Sequence, residues 1–137
     1  MKTKIIKTIL PVIFGIFSVL ALLVLYNLIG QGINVLIAPD KGFFKYFVPF
    51  VIIIAFFIQL TFTLPFWNKF KNQRKVWGLS IIQFTILLCL ISGLTFGYLF
   101  WEPSLGITEL LLVSLDGVIA FTVYWTVNLF TLKQLDK

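Results

Sequence analysis

Residues 108–125 read TELLLVSLDGVIAFTVYW, an apolar run with the acidic residue Asp116 in its interior. No basic side chain lies close to Asp116 along the chain. A charged side chain at such a depth in lipid costs roughly 2.5–3.5 kcal/mol on insertion scales. The carboxyl group must therefore be neutralised, paired or hydrated, and each of these states implies a different function.

Three further stretches resemble this one in length and hydrophobicity. A helix needs about 20 apolar residues to cross the hydrocarbon layer of a membrane. Four windows meet this requirement, at about 8–29, 45–66, 78–100 and 108–131. Of all residues, 60% are hydrophobic and 12% are charged, which is a membrane composition. We therefore expect an all-α membrane protein, a bundle of four transmembrane helices that forms a single domain over residues 1–137.

The distribution of basic residues predicts the orientation of the bundle. Nine lysine and arginine residues lie at the two termini and between the second and third windows, and only Lys41 and Lys45 lie in the other connections. Short cytoplasmic segments carry this excess of positive charge. We expect both termini to be cytoplasmic, and the protein to lie in a bacterial inner (plasma) membrane.

Several classes of function lack their usual residues. The chain has no histidine, its one cysteine is Cys89, and it contains none of the common catalytic or phosphate-binding motifs. The net charge of +6 comes from basic residues between apolar runs, not from a patch with interleaved aromatic residues. We therefore expect no enzymatic activity, no cofactor, no metal and no nucleic-acid partner.

Glu109 and Asp116 are separated by seven residues, so they share one face of the fourth helix. We expect this acidic face to turn toward protein. The opposite face, which we expect to turn toward lipid, carries Val118, Phe121 and Trp125. Three interpretations of Asp116 remain open: a proton or cation site, a contact with a basic residue of another subunit, or a protonated acid hydrogen-bonded within the bundle.

Three amides lie at the outer end of the first helix. Asn27, Gln31 and Asn34 recur at spacings of four and three residues, which places them on one helix face. With the acidic residues they would line an outward-facing polar vestibule; alternatively they form the wet face of a segment at the membrane surface. We predict that residues 30–44 extend the first helix or form a short interfacial helix.

Two patterns predict contacts between helices. Gln59 and Gln83, in the second and third windows, are expected to meet, since amide contacts join membrane helices. The third window also carries small residues at every fourth position. This ridge consists of Thr85, Cys89, Gly93 and Gly97. It predicts close approach of another helix, from the same chain or from a partner.

These features favour a non-catalytic function. We predict a small integral membrane subunit that packs with a larger membrane complex or with copies of itself. The alternative is a small oligomeric transporter or channel that uses Asp116 for proton or cation coupling.

Overall fold

The structure is a computed structural model that describes residues 2–31, 48–71, 75, 77–101 and 103–137. Its helices are α1 (Lys2–Gln31), α2 (Val48–Ile58), α3 (Leu64–Lys71), α4 (Ile81–Phe100) and α5 (Ile107–Leu135). A π-helical turn, Gln59–Thr63, joins α2 to α3, and a 3₁₀ turn, Pro103–Leu105, precedes α5. Most of residues 30–44 lie outside the described residues.

Four helical stretches are long and apolar enough to cross a membrane. They are Thr3–Leu25, Val51–Lys71, Ile81–Phe100 and Ile107–Leu135. The prediction of a helical protein with four membrane-length helices is therefore confirmed for the described part of the chain. The α2 helix, the π-helical turn and α3 together make up the second of these stretches, which we call the second span.

The π-helical turn lies where the chain must accommodate a proline. Pro65 has no N–H group to donate to the preceding turn. Just before it, the Leu64 N–H donates to the Gln59 carbonyl, five residues back. Widened turns of this type allow helices in membranes to keep their backbone groups paired near proline. The second span thus continues through Pro65 without a break.

Helix α5, the fourth of the membrane-length stretches, makes most of the contacts between helices. Helix α5 packs against both α4 and α1, and the second span packs mainly against α1. A buried cluster of Leu64, Trp67 and Leu132, extended by Ile81 and Leu129, closes one end of the bundle. At that end α4 begins at Ile81 and not at 78, because Gly78 has a positive φ of 77° and Ser80 caps the helix.

Gln83 has a different partner from the one predicted. Its side chain accepts a hydrogen bond from the Ser80 N–H at 3.0 Å, and its own N–H donates to Ser80 Oγ at 3.4 Å. This is a capping box at the start of α4. The predicted contact between Gln59 and Gln83 is therefore wrong, since Gln83 is used locally to begin the helix.

Candidate functional site

Asp116 lies on the outward face of α5. Its side chain is exposed, as are Leu112, Leu115 and Ile119 around it. The buried face of α5 carries Ser114, Gly117, Trp125, Asn128 and Leu132. The predicted rotation of this helix is therefore wrong: Trp125, which we expected to face lipid, is inside, and Asp116 is outside.

Small residues explain this rotation. Gly117 lies against Gly93 of α4, so that a Cβ at position 117 would be 3.0 Å from the Gly93 carbonyl oxygen. Ser114 lies against Gly97 of α4, so that a Cβ at position 97 would be 2.7 Å from the Ser114 Cβ. Membrane helices associate through close packing of small residues, because lipid is as apolar as the protein surface. The face of α5 with Ser114 and Gly117 therefore packs inward, and Asp116 is carried outward.

Asp116 has no intramolecular partner within the described part of the chain. The ion pairs found there involve Asp136 and not Asp116. Hydroxyl groups in the spans instead donate to carbonyls of their own helices. These donors include Ser18, Thr61, Thr85, Thr95, Thr122 and Thr131. The carboxyl group of Asp116 therefore lies on the surface of α5 without an ion pair or a hydrogen bond among the described residues.

Glu109 lies in the first turn of α5, where a carboxylate interacts favourably with the helix dipole. Its side chain is half-buried, and Oε2 is buried without a hydrogen-bond partner among the described residues. Asn27 and Gln31 occupy the last turns of α1, and Asn34 lies outside the described residues. The predicted vestibule of amides therefore stays a prediction.

The predicted ridge on α4 faces α5 of the same chain. Cys89, Gly93 and Gly97 are buried, and Thr85 is half-buried. A Cβ built on Gly93 would lie 2.6 Å from the Val118 backbone nitrogen. A Cβ built on Gly97 would lie 2.8 Å from the Ser114 Cα. Only residues without a side chain allow the two backbones to approach this closely.

A buried amide pair connects three of the helices. The Asn128 Nδ2 group donates to Gln59 Oε1 at 3.0 Å, and Gln59 Nε2 donates to the Lys7 carbonyl at 3.2 Å. Gln59 and Asn128 are both fully buried. The Lys7 carbonyl needs this donor because Pro11, four residues later, has no N–H group. This pair is a polar centre that the sequence analysis did not identify.

One signal in the sequence points to this pair. Pro11 lies inside an apolar helix, and it leaves a carbonyl that another helix must satisfy. Gln59 has a side chain long enough to reach across, and Asn128 is the one amide in the apolar run of α5. The sequence does not show which of the amides in the chain is opposite Lys7.

A second polar cluster surrounds Asp136, just after the end of α5 and near the buried Leu64–Trp67–Leu132 cluster. The buried carboxylate of Asp136 forms ion pairs with Lys7 and with Lys71, whose Nζ is 3.2 Å from Asp136 Oδ1. The Trp67 indole N–H donates to the other carboxylate oxygen. Asp136 thus ties together α1, α3 and the end of α5. Burial raises the pKa of Asp136, but the hydrogen bonds from Lys7, Trp67 and Lys71 outweigh it and lower the pKa to about 2.

The lowered pKa predicts how stability depends on pH. A carboxyl group whose pKa falls on folding stabilises the protein fully above its ordinary pKa, 3.8, and the stabilisation is lost as the pH falls toward 2. We expect Asp136→Asn to lower the stability by about 1 kcal/mol at pH 6, allowing for solvent screening. Thermal unfolding in detergent should show the two proteins converging near pH 2. A difference that persists unchanged at this pH would contradict the ion-pair explanation.

Comparison with protein-family models, with curated proteins and with solved structures gives no match. Within the described residues, no three His, Cys, Asp or Glu side chains are grouped so that they could hold a metal ion. The candidate site is therefore defined by geometry alone: the exposed Asp116 and the two buried polar clusters.

Proposed function

We propose that the protein is a non-catalytic membrane subunit that packs on a partner helix through the outward face of α5. The observation that carries this proposal is the exposed carboxyl group of Asp116 among the exposed side chains of Leu112, Leu115 and Ile119. The apolar side chains are equally stable in contact with lipid and in contact with a neighbouring helix. The carboxyl group is stabilised only by a neighbour that offers it a positive charge or a hydrogen bond.

Position along the helix strengthens this argument. Asp116 is nine residues from the first residue of α5, or about 14 Å at 1.5 Å per residue. A short aspartate side chain at this depth cannot extend to the headgroups as a lysine or an arginine would. A partner residue at the same depth would remove the cost of exposing the acid to lipid. That partner belongs to a larger membrane complex or to a second copy of the chain.

Purification of the assembled protein tests this function. We expect Asp116→Asn to reduce the amount of partner retained in mild detergent at least tenfold, as counted by native mass spectrometry, because a charge-assisted contact is lost. Asp136→Asn is the matched control, since it makes the same change in the intramolecular cluster. It should keep the partner. Full retention of the partner by Asp116→Asn and also by Asp116→Leu would rule out this contact.

The same exposed carboxyl group favours a second candidate, a small oligomeric transporter or channel. Copies that pack through this face of α5 would enclose Asp116 in a shared pathway, where it would carry a proton or a cation. In that case Asp116→Asn leaves the oligomer intact and abolishes flux into liposomes. The subunit proposal expects the opposite: loss of the assembly, and no flux by the wild-type protein.

The proposed orientation places both termini in the cytoplasm of a bacterial cell. It is supported by nine basic residues on one side against two on the other. Cysteines introduced at Asn72 and at Ser104, in a Cys89→Ala background, should react with an impermeant reagent from opposite sides of the membrane. We expect position 72 to react only after the membrane is permeabilised, so that the reagent reaches the cytoplasmic side. Labelling of both positions from one side would contradict the four-span arrangement.

A further inference from the structure

The end of the bundle that carries Asp136 has much more positive than negative charge. Helix α1 begins at this end, and α3 and α5 end there. Asp136 is the only acidic residue that the structure describes at this end, since Glu109 and Asp116 lie in the other half of α5. The lysines on the same helix ends, besides those paired with Asp136, are Lys4, Lys69 and Lys133. Such an excess of one sign of charge attracts anions from outside the protein.

The ion pairs of Asp136 themselves leave one positive charge in excess. Asp136, Lys7, Lys71 and Trp67 form a group that we call the Asp136 cluster, in which two ammonium groups share one carboxylate. The Lys7 side chain is 24% exposed, whereas the Lys71 side chain is 50% exposed. Each ammonium group has three N–H donors, so both lysines keep donors that Asp136 does not use. One singly charged anion at Lys71 would therefore make the cluster neutral.

The position of the lysines along the spans indicates where this anion comes from. Lys71 is the last residue of the second span, and Lys7 is the fifth residue of the membrane-length stretch Thr3–Leu25. The exposed Trp77 packs against the ring of Phe66, and Lys69 Nζ lies 5.8 Å from the centroid of the same ring. Tryptophan and lysine side chains at the ends of membrane helices lie at the level of the headgroups. The most concentrated anions at this level are the phosphates of the lipids.

Charge selects among the lipids. In phosphatidylcholine the headgroup carries its own cation, which already balances the phosphate. In phosphatidylglycerol the phosphate keeps one negative charge, and its two free oxygens accept charge-assisted hydrogen bonds from ammonium groups. Basic side chains next to the ends of membrane helices attract such anionic headgroups. The single excess charge of the Asp136 cluster thus matches one headgroup of this type.

We propose that the phosphate of an anionic phospholipid with one net negative charge binds at Lys71 and Lys7 and balances the excess charge of the Asp136 cluster. The acyl chains stay in the surrounding bilayer. The bound headgroup connects the first turns of α1 to the end of α3, in addition to the connection that Asp136 makes. The proposal concerns lipid binding and is independent of the assembly through Asp116.

Native mass spectrometry of the full chain tests the proposal. The protein in mild detergent receives equal amounts of phosphatidylglycerol and phosphatidylcholine with identical acyl chains, and the lipids retained on the chain are counted. We expect the wild type to retain roughly fivefold more phosphatidylglycerol than phosphatidylcholine, and Lys71→Gln to bring this ratio close to one. Lys71→Gln should still fold, because Asp136 keeps its contacts with Lys7 and Trp67.

Two control variants separate a defined site from the general charge of the surface. Lys75→Gln removes the same charge from an exposed lysine that lies outside the helices and outside the Asp136 cluster. It should keep the wild-type ratio. Lys71→Arg keeps the positive charge and should also keep this ratio. A further titration adds inorganic phosphate, which has the same anionic oxygens without acyl chains and should not displace the lipid.

Four results would overturn the proposal. Equal retention of the two lipids by the wild type would show that the cluster does not select charge. A wild-type ratio in Lys71→Gln would show that the lipid binds elsewhere. Equal losses in Lys71→Gln and Lys75→Gln would show only a general attraction to a positive surface. Displacement of phosphatidylglycerol by an equal concentration of inorganic phosphate would show that the ligand is a soluble anion.

Discussion

Gly93→Leu is expected to eliminate folded protein. A Cβ at position 93 would lie 2.6 Å from the backbone nitrogen of Val118 and 2.8 Å from its Cα. Backbone atoms cannot move aside as the end of a flexible side chain can, so α4 and α5 must separate along their whole contact. Overpacking of a core by side chains alone costs about 1–3 kcal/mol, and this clash should exceed that range. Size-exclusion chromatography of detergent extracts measures the yield of monodisperse protein.

Thr95→Leu is the matched control for this change. Thr95 lies two residues away on α4, and its side chain is exposed. A leucine there adds similar bulk toward lipid and should leave the yield nearly unchanged. The sequence alone left open whether the ridge meets a helix of the same chain or of a partner. A Gly93→Leu protein that is monomeric and stable but has lost its partner would place the critical contact between subunits and would contradict the packing described above.

The second large effect is expected for Gln59→Leu. This change removes the nearer acceptor of the Asn128 amide, which keeps only its 3.4 Å hydrogen bond to Tyr124 Oη, and it leaves the Lys7 carbonyl without its donor, both in a buried region. Each unsatisfied group costs about 1–3 kcal/mol, although such costs are often smaller within membranes. We expect a loss of about 2 kcal/mol in the free energy of unfolding, measured by denaturant titration in mixed micelles.

A double-mutant cycle separates the amide contact from general damage to the core. Asn128→Leu alone should cost less than Gln59→Leu, because it leaves the Lys7 carbonyl paired with Gln59. The double variant should be more stable than the sum of the single changes implies, by about 0.6–1.7 kcal/mol. Strict additivity would mean that the hydrogen bond between Gln59 and Asn128 does not contribute to stability.

Pro11 is the reason why the Lys7 carbonyl depends on Gln59. Replacement of Pro11 by alanine restores an N–H group four residues after Lys7, so the Lys7 carbonyl no longer depends on Gln59. In a Pro11→Ala background, Gln59→Leu should therefore cost less than in the wild type. The two positions are 48 residues apart, and their coupling exists only in the folded bundle.

Hydropathy along the chain was enough to predict four membrane-length helices. Their length and apolar character are properties of local sequence, because every backbone group in a membrane must be paired within its own helix. The ends of the helices were predicted less well. The start of α4 at Ile81 depends on the capping box of Ser80 and Gln83, whereas the sequence pattern predicts that Gln83 contacts another helix.

The face that each helix turns inward was decided only by the tertiary structure. In water, the apolar face of a helix is buried and the pattern of residues reveals it; in lipid, apolar residues are equally well placed inside and outside. The inward face of α5 is therefore selected by Ser114 and Gly117, which allow α4 to approach, and Asp116 is left outside. The pairing of Gln59 with Asn128 likewise depends on residues far apart in sequence. The sequence determined which segments are long and apolar enough to cross the membrane, and the packing of small and polar residues decided which face of each helix turns inward.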